Sequence, residues 1–112
     1  MSLVNEQAAF LKDVIKLLEA AYHLGFQVTG GELYRTKEQQ EIYVKNGRST
    51  TMNSKHLDRV AIDLNFFKDG KLITDRATLS PLGSYWVSLH PKNQWGGNWN
   101  TFKDLPHFER GV

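Results

Sequence analysis

The spacing of apolar and polar residues divides the chain into segments of two periods. From Asn5 to Leu24, residues Phe10, Val14, Leu17, Leu18, Ala21 and Leu24 recur at steps of three and four, the stripe of an amphipathic helix. Asn5 is the expected N-cap and Gly25 the stop. His23, in the last turn, is read as structural, since a cation suits the helix C-terminus. Phe26 to Thr29 reads as a strand broken by Gly30-Gly31, with extended chain resuming from Glu32 to Arg35. Thr36 to Asn46 is a second helix: Thr36 and Gln39 match a capping box and Gly47 follows as a stop. Arg48 to Lys55 is polar and reads as loop.

The period then changes to two. From Arg59 to Phe67, Val60, Ile62, Leu64 and Phe66 point one way, and Ala61, Asp63, Asn65 and Phe67 the other. Lys68-Asp-Gly-Lys71 carries the Asp-Gly hairpin signal, with Lys71 to Thr74 returning. Ser80-Pro81 is expected to open a third helix running to Leu89, with Ser at the cap and Pro at the first helical position. His90 to Thr101 reads as a long loop and Leu105 to Arg110 as a last short strand. Helices mix with antiparallel strands without a strict βαβ rhythm, so the expected class is α+β: one domain with a central antiparallel sheet and about three helices.

Composition narrows the possibilities. At 112 residues the chain fits one domain, 1–112, and its 40% hydrophobic fraction is ample for a core. No apolar run approaches a membrane span. There are no cysteines, which excludes disulfides, iron–sulfur clusters and thiol nucleophiles, so any metal must be held by His, Asp or Glu. Fourteen basic and twelve acidic residues give a net charge of +2, and the basic ones are scattered, so no nucleic-acid partner is expected. The N-terminus lacks the features of a secretion signal, because charged residues interrupt its apolar stretch. Synthesis in the cytoplasm and release by some other route are therefore expected.

Two stretches carry candidate chemistry. In Ser54-Lys-His56-Leu-Asp-Arg-Val-Ala-Ile-Asp63 a His at the mouth of a strand precedes an Asp inside it, and a carboxylate in so apolar a strand is costly unless it is paired or bound to a metal. In Asp104-Leu-Pro-His107-Phe-Glu109, His107 and Glu109 share a strand face. His56, Asp63 and His107 together suit a catalytic zinc with one position left open. Asp104, three residues before His107 across a turn at Pro106, can serve as a general base that later protonates a leaving amine. Arg35, at a strand end before a capped helix, could stabilise an oxyanion. Spacing alone leaves ordinary readings beside these: an exposed His, a strand Asp in a salt bridge, an Asp that starts a turn, and an Arg35 paired with Glu32 or Glu38.

The strings Tyr34-Arg-Thr-Lys-Glu-Gln-Gln with Asn46-Gly-Arg-Ser, Ser54-x-His56 with Ala61-x-Asp63-Leu, and Trp95-Gly-Gly with Asp104-x-x-His107-Phe-Glu occur in that order from about Gly30 to Arg110. This pattern resembles the D-alanyl-D-alanine carboxypeptidase/L-alanyl-D-glutamate peptidase metallopeptidases, above all their small phage endolysin branch. The vancomycin-resistance dipeptidases and the hedgehog signalling domain are relatives of that family. The resemblance implies a compact α+β fold with one Zn2+ held by His56, Asp63 and His107, Asp104 as base and Arg35 as transition-state stabiliser. Ser54 would hold the loop or contact substrate, and Trp95 with its two glycines would shape the rim, with a place in the core as the equal alternative for Trp95. Where the family pattern has Gly three residues after the first His, this chain has Arg59. An unusual φ or a tight approach would explain that Gly, so Arg59 bears on loop shape and substrate access.

The implied activity is hydrolysis of peptidoglycan stem peptides by a monomer without stable membrane association, with an L-Ala–D-Glu endopeptidase preferred. A D-Ala-D-Ala carboxypeptidase is the nearer alternative, and a non-catalytic zinc-bearing wall-binding module is the alternative from another class. The chain ends soon after the last motif, so no separate wall-binding module is expected. A phage or prophage enzyme acting on the wall fits the absent signal.

Overall fold

The computed structural model describes residues 2–111. The first helix, α1, spans Leu3–His23. Its cap is Ser2, whose hydroxyl accepts from the Asn5 backbone N–H at 3.2 Å, so Asn5 lies inside the helix instead of capping it. Gly25 takes φ +89° just beyond the C-terminus, where a side chain would be strained. β1 (Gln27–Gly30) follows, then α2 (Lys37–Lys45), capped as expected by Thr36 onto Gln39. A short 3₁₀ turn, Lys55–Asp58, occupies chain that reads as loop and strand mouth.

β2 (Ala61–Lys68) is the central strand. An Asp69-Gly70 turn, both residues at positive φ, leads into β3, which covers only Lys71–Leu72 of the expected return strand. α3 runs Arg76–Leu89. Its cap is Asp75, which accepts from the Thr78 N–H at 2.9 Å and from the Thr78 hydroxyl. The expected Ser80-Pro81 start is therefore corrected: Asp75 caps the helix and Pro81 lies inside it.

The segment read as a long loop contains β4 (Asn93–Trp95) and a 3₁₀ turn, Gly96–Asn98. β5 (His107–Arg110) begins only after Pro106. The antiparallel sheet is ordered β1-β2-β5-β4, with β3 also paired to β2. Opposite each other in register lie Asp63 and His107, Ala61 and Glu109, and Ile62 and Phe108.

The core lies between the sheet and the helices α1 and α3. Phe10, Val14, Leu17 and Ala21 of α1 meet Leu79, Leu82 and Trp86 of α3 and the Val60, Leu64, Phe66 and Phe108 side chains. Each large side chain so buried contributes about 1.5–3 kcal/mol. Trp86 packs edge-on to Phe10 and Phe108, and its indole N–H donates to the carbonyls of Gln94 and Glu109. Beside it, buried Arg110, Asp13 and Asn93 hydrogen-bond one another, tying α1 to β4 and β5. Among the described residues, three α-helices and an antiparallel sheet make up an α+β domain.

Candidate metal centre

A cavity of about 520 Å³ opens where β2, β5, the Lys55–Asp58 turn and the chain after Gly97 meet. His56, Asp63 and His107 lie within it. Each is positioned by backbone. Ser54 caps the 3₁₀ turn by accepting from the His56 N–H at 3.2 Å, and the His56 carbonyl accepts from the Arg35 N–H. His56 Nδ1 lies 3.0 Å from the Leu33 carbonyl, which fixes the proton on Nδ1 and turns the Nε2 lone pair toward Asp63. Gly31 lets the chain before Glu32 lie against the Asp63 backbone: its N–H donates to the Asp63 carbonyl at 2.7 Å, and a Cβ would stand 3.0 Å from that oxygen.

Asp63 Oδ1 is 3.4 Å from His56 Nε2 and 3.5 Å from His107 Nδ1. One donor atom from each residue falls within 4.8 Å of the other two. Neither His56 Nε2 nor Asp63 Oδ1 has a hydrogen-bond partner among the described residues, although both atoms are buried. Buried polar atoms are normally paired. Tetrahedral bonds of about 2.0–2.1 Å put neighbouring ligand atoms about 3.3 Å apart, so both measured edges fit a small tetrahedral cation. His107 is oriented from its other side, where Nε2 lies 2.7 Å from Glu109 Oε1. The residues therefore fit a metal held by two imidazole nitrogens and one carboxylate oxygen.

Burial disfavours the Asp63 carboxylate, but the neighbouring His107 and His56 rings outweigh it and hold its pKa well below the usual range. His107 is affected in the opposite sense. Burial would lower its pKa, yet Asp63 and Glu109 push it up to about 9. Asp104 lines the same cavity, and burial together with the Asp63 charge raises its pKa despite His107, His56 and Arg35. Such a carboxylate is a stronger base than an exposed one.

Arg35 also lines the cavity, but as a tethered group. Its Nε and Nη2 bind Glu32 Oε1, and its Nη1 donates to Gln40 Oε1 at 2.7 Å and to Ser54 Oγ at 3.3 Å. One Nη2 N–H is left over. Ser54 thus lines the cavity and joins Arg35 to the His56 turn. Trp95 is elsewhere. It is 1% exposed, stacks on Phe108, and donates its indole N–H to the Leu105 carbonyl. Gly83 and Gly97 make room for its ring, since a Cβ on either would approach it within 2.3 Å. Of the two places expected for Trp95, rim and core, it takes the core and supports the site from there.

Arg59 has φ +56° and ψ 35°, the left-handed conformation that a glycine would take freely. Its guanidinium covers the Tyr34 ring at 4.1 Å and does not line the cavity. Arg48 and Ser49, from the Asn46-Gly-Arg-Ser string, do line it, and the lining outside the motif residues includes Glu32, Tyr43, Trp99, Phe102 and Lys103. The Trp99 ring centroid is 5.0 Å from that of His107. An exposed aromatic or basic residue in a polar loop gives no periodic signal, so only the tertiary fold reveals these neighbours.

The family profile for D-alanyl-D-alanine carboxypeptidase matches residues 47–110, a segment that includes the three donor residues. The L-alanyl-D-glutamate peptidase of Listeria phage A118 is 38% identical over 96 residues, 84% of this chain; the chain spans about one third (34%) of that relative's length. The crystal structure of the Serratia marcescens L-Ala D-Glu endopeptidase ChiX superposes with a TM-score of 0.70 at 24% identity, covering 89% of this chain and 79% of that one, and so shares its fold. This chain belongs to the D-alanyl-D-alanine carboxypeptidase family of metallopeptidases.

Proposed function

We propose that residues 1–112 form one zinc-dependent peptidase domain that hydrolyses the L-Ala–D-Glu bond of bacterial peptidoglycan stem peptides. The observation that carries this reading is the convergence of His56, Asp63 and His107, with two unpartnered buried donor atoms, in a cavity that also holds Asp104. The choice of bond is supported by the name of the phage relative. The family's description supports a second reading, removal of the terminal D-Ala by a D-Ala-D-Ala carboxypeptidase.

His56 Nε2, Asp63 Oδ1 and His107 Nδ1 would hold the zinc. When bound, it supplies Lewis acidity toward the scissile carbonyl and toward water. Asp104 takes a proton from the attacking water as the new C–O bond forms, and returns it to the departing amine as the C–N bond breaks. Its raised pKa makes it a stronger base for the first half of that exchange. Arg35 offers its remaining N–H and its charge to the oxygen of the tetrahedral intermediate. Glu32 holds the fork in place and moderates that charge.

The protein would act on the cell wall as a monomer. Stable membrane association and nucleic-acid binding form no part of this reading. Among the described residues no helix is long and apolar enough to cross a membrane.

Digestion of purified peptidoglycan by zinc-loaded protein, followed by mass spectrometry, tests the proposal. New D-Glu amino ends are expected, whereas released D-Ala would select the carboxypeptidase. Asp104→Asn should retain zinc and lower turnover by about 10²–10⁴. A fully zinc-loaded wild type that releases no new ends from any wall would leave a wall-binding module as the explanation.

A further inference from the structure

We propose that Arg48 forms a carboxylate-binding subsite in the cavity, gripping the carboxylate on the substrate carbon that bears the scissile nitrogen. This rests on the peptidase reading above. In an L-Ala–D-Glu bond the D-Glu nitrogen is acylated and the chain continues through the γ-carbonyl, so the carbon beside the scissile nitrogen carries an α-carboxylate. A terminal D-Ala carries one in the same place. Either substrate therefore brings a negative charge two bonds from the scissile nitrogen, and a matching cation in the cavity is required.

Four cationic side chains line the cavity: Arg35, Arg48, Lys55 and Lys103. Arg35 is already paired with Glu32. Lys103 donates to the Trp99 carbonyl at 2.6 Å. Arg48 has no carboxylate or other side-chain hydrogen-bond partner among the described residues, yet it is held in place. Gly47, at φ +74°, turns the chain at the end of α2, and the Arg48 N–H donates to the Tyr43 carbonyl at 2.8 Å. Its guanidinium lies over the Tyr43 ring at 4.7 Å, a ring it shares with Arg35 at 4.6 Å. The Tyr43 hydroxyl is fixed in turn by Glu32 at 3.2 Å.

Stacking occupies the flat face of a guanidinium and leaves its edge N–H groups free, the geometry that a carboxylate accepts in bidentate fashion. Lys55 also lacks a partner but offers a point charge on a flexible stem. The arrangement thus separates two roles on one aromatic ring. Arg35, paired, stands by the reacting carbonyl, and Arg48, unpaired, awaits the substrate's anion.

The test uses zinc-loaded Asp104→Asn protein, so that binding is read without turnover, and two tripeptides. One is L-Ala-γ-D-Glu-L-Lys; the other carries a carboxamide in place of the α-carboxylate. Calorimetry should show the carboxylate peptide binding about tenfold or more tighter. Adding Arg48→Gln should bring the two affinities within about threefold, while Lys55→Gln leaves the preference intact. Equal affinities without the Arg48 change, a preference that survives Arg48→Gln or disappears with Lys55→Gln, or no binding of the carboxylate peptide would each overturn the subsite. If carboxylate-selective, Arg48-dependent binding holds while wild-type protein cleaves no wall, the subsite stands and the peptidase reading fails.

Discussion

Glu109 Oε1 lies 2.7 Å from His107 Nε2, and this contact decides which nitrogen of His107 faces Asp63. The β5 alternation puts both side chains on one face, so the carboxylate reaches back to the ring two residues before it. A metal-ligating imidazole that donates its far N–H to a carboxylate is both oriented and made more basic. Glu109→Ala should weaken zinc binding by about 10–100-fold with the fold intact, and Glu109→Gln, which can still accept from Nε2, should lose less. Competition with a chromogenic chelator measures this. Unchanged affinity in Glu109→Ala would show that β5 alone orients the ring.

The same contacts make the metal-free protein sensitive to pH. Burial opposes protonation of His107, but Asp63 and Glu109 raise its pKa to about 9, above the ordinary value of 6.5. A group raised on folding stabilises the protein fully below its unfolded pKa and ceases to do so as pH climbs through the folded one. Urea denaturation in chelator should therefore show stability falling between about pH 6.5 and 9, by on the order of 2–3 kcal/mol. His107→Gln should flatten that slope. Zinc competes for the same lone pair, so its affinity should rise over the same interval as protons are released. A metal-free protein equally stable at both ends of the interval would contradict this assignment of the contacts.

The local elements were readable because their signals are local. Thr36 and Gln39 are three residues apart, and the cap they form needs nothing from the rest of the chain. The β2 alternation placed Asp63 off the Val60/Leu64/Phe66 core face, and its cost in an apolar strand drew attention to it. Other features depend on partners far along the chain. Asn93-Gln-Trp95 has no alternating pattern, and becomes a strand because β5 pairs with it. The sequence leaves Trp95 between rim and core, and Gly83, twelve residues before it, opens the slot that buries its ring. Arg48 sits in a polar loop, and its place in the cavity follows from where α2 leaves it. Two caps were also misplaced, Asn5 for Ser2 and Ser80 for Asp75, because several cap-forming residues lie close together and tertiary packing sets the first turn.

Gly96 couples the core to the position of Asp104. The Asp104 N–H donates to the Gly96 carbonyl at 3.1 Å, and a Cβ on Gly96 would fall 2.2 Å from the Asp104 carbonyl oxygen. Backbone cannot yield as a side-chain tip can, so Gly96→Ala should push the Asp104 turn outward. A displacement of about 1 Å at a proton-transferring group can cost on the order of 10²-fold in rate. The expected result is a fall in kcat of at least about tenfold with zinc affinity held by His56, Asp63 and His107. Equal losses of zinc and turnover would instead place the damage in the β5 ligand strand.

Arg59 offers the converse case, a residue that departs from the family pattern at little cost to the site. Its left-handed φ of +56° carries a penalty of roughly 1–2 kcal/mol for a residue with a Cβ. Its guanidinium over Tyr34 returns about 0.5–1 kcal/mol at an exposed position. Arg59→Gly removes both terms. It also adds freedom to the unfolded chain, a loss of up to about 1 kcal/mol. The sum lies near zero, so the midpoint of thermal unfolding should move by only a few degrees. Arg59→Ala keeps the backbone penalty and discards the stack, and should be the less stable of the two variants. Since Arg59 does not line the cavity, zinc affinity and wall hydrolysis should match wild type in Arg59→Gly. A variant that melts normally but binds zinc poorly would show that Arg59 holds the Lys55–Asp58 turn, and with it His56, in place.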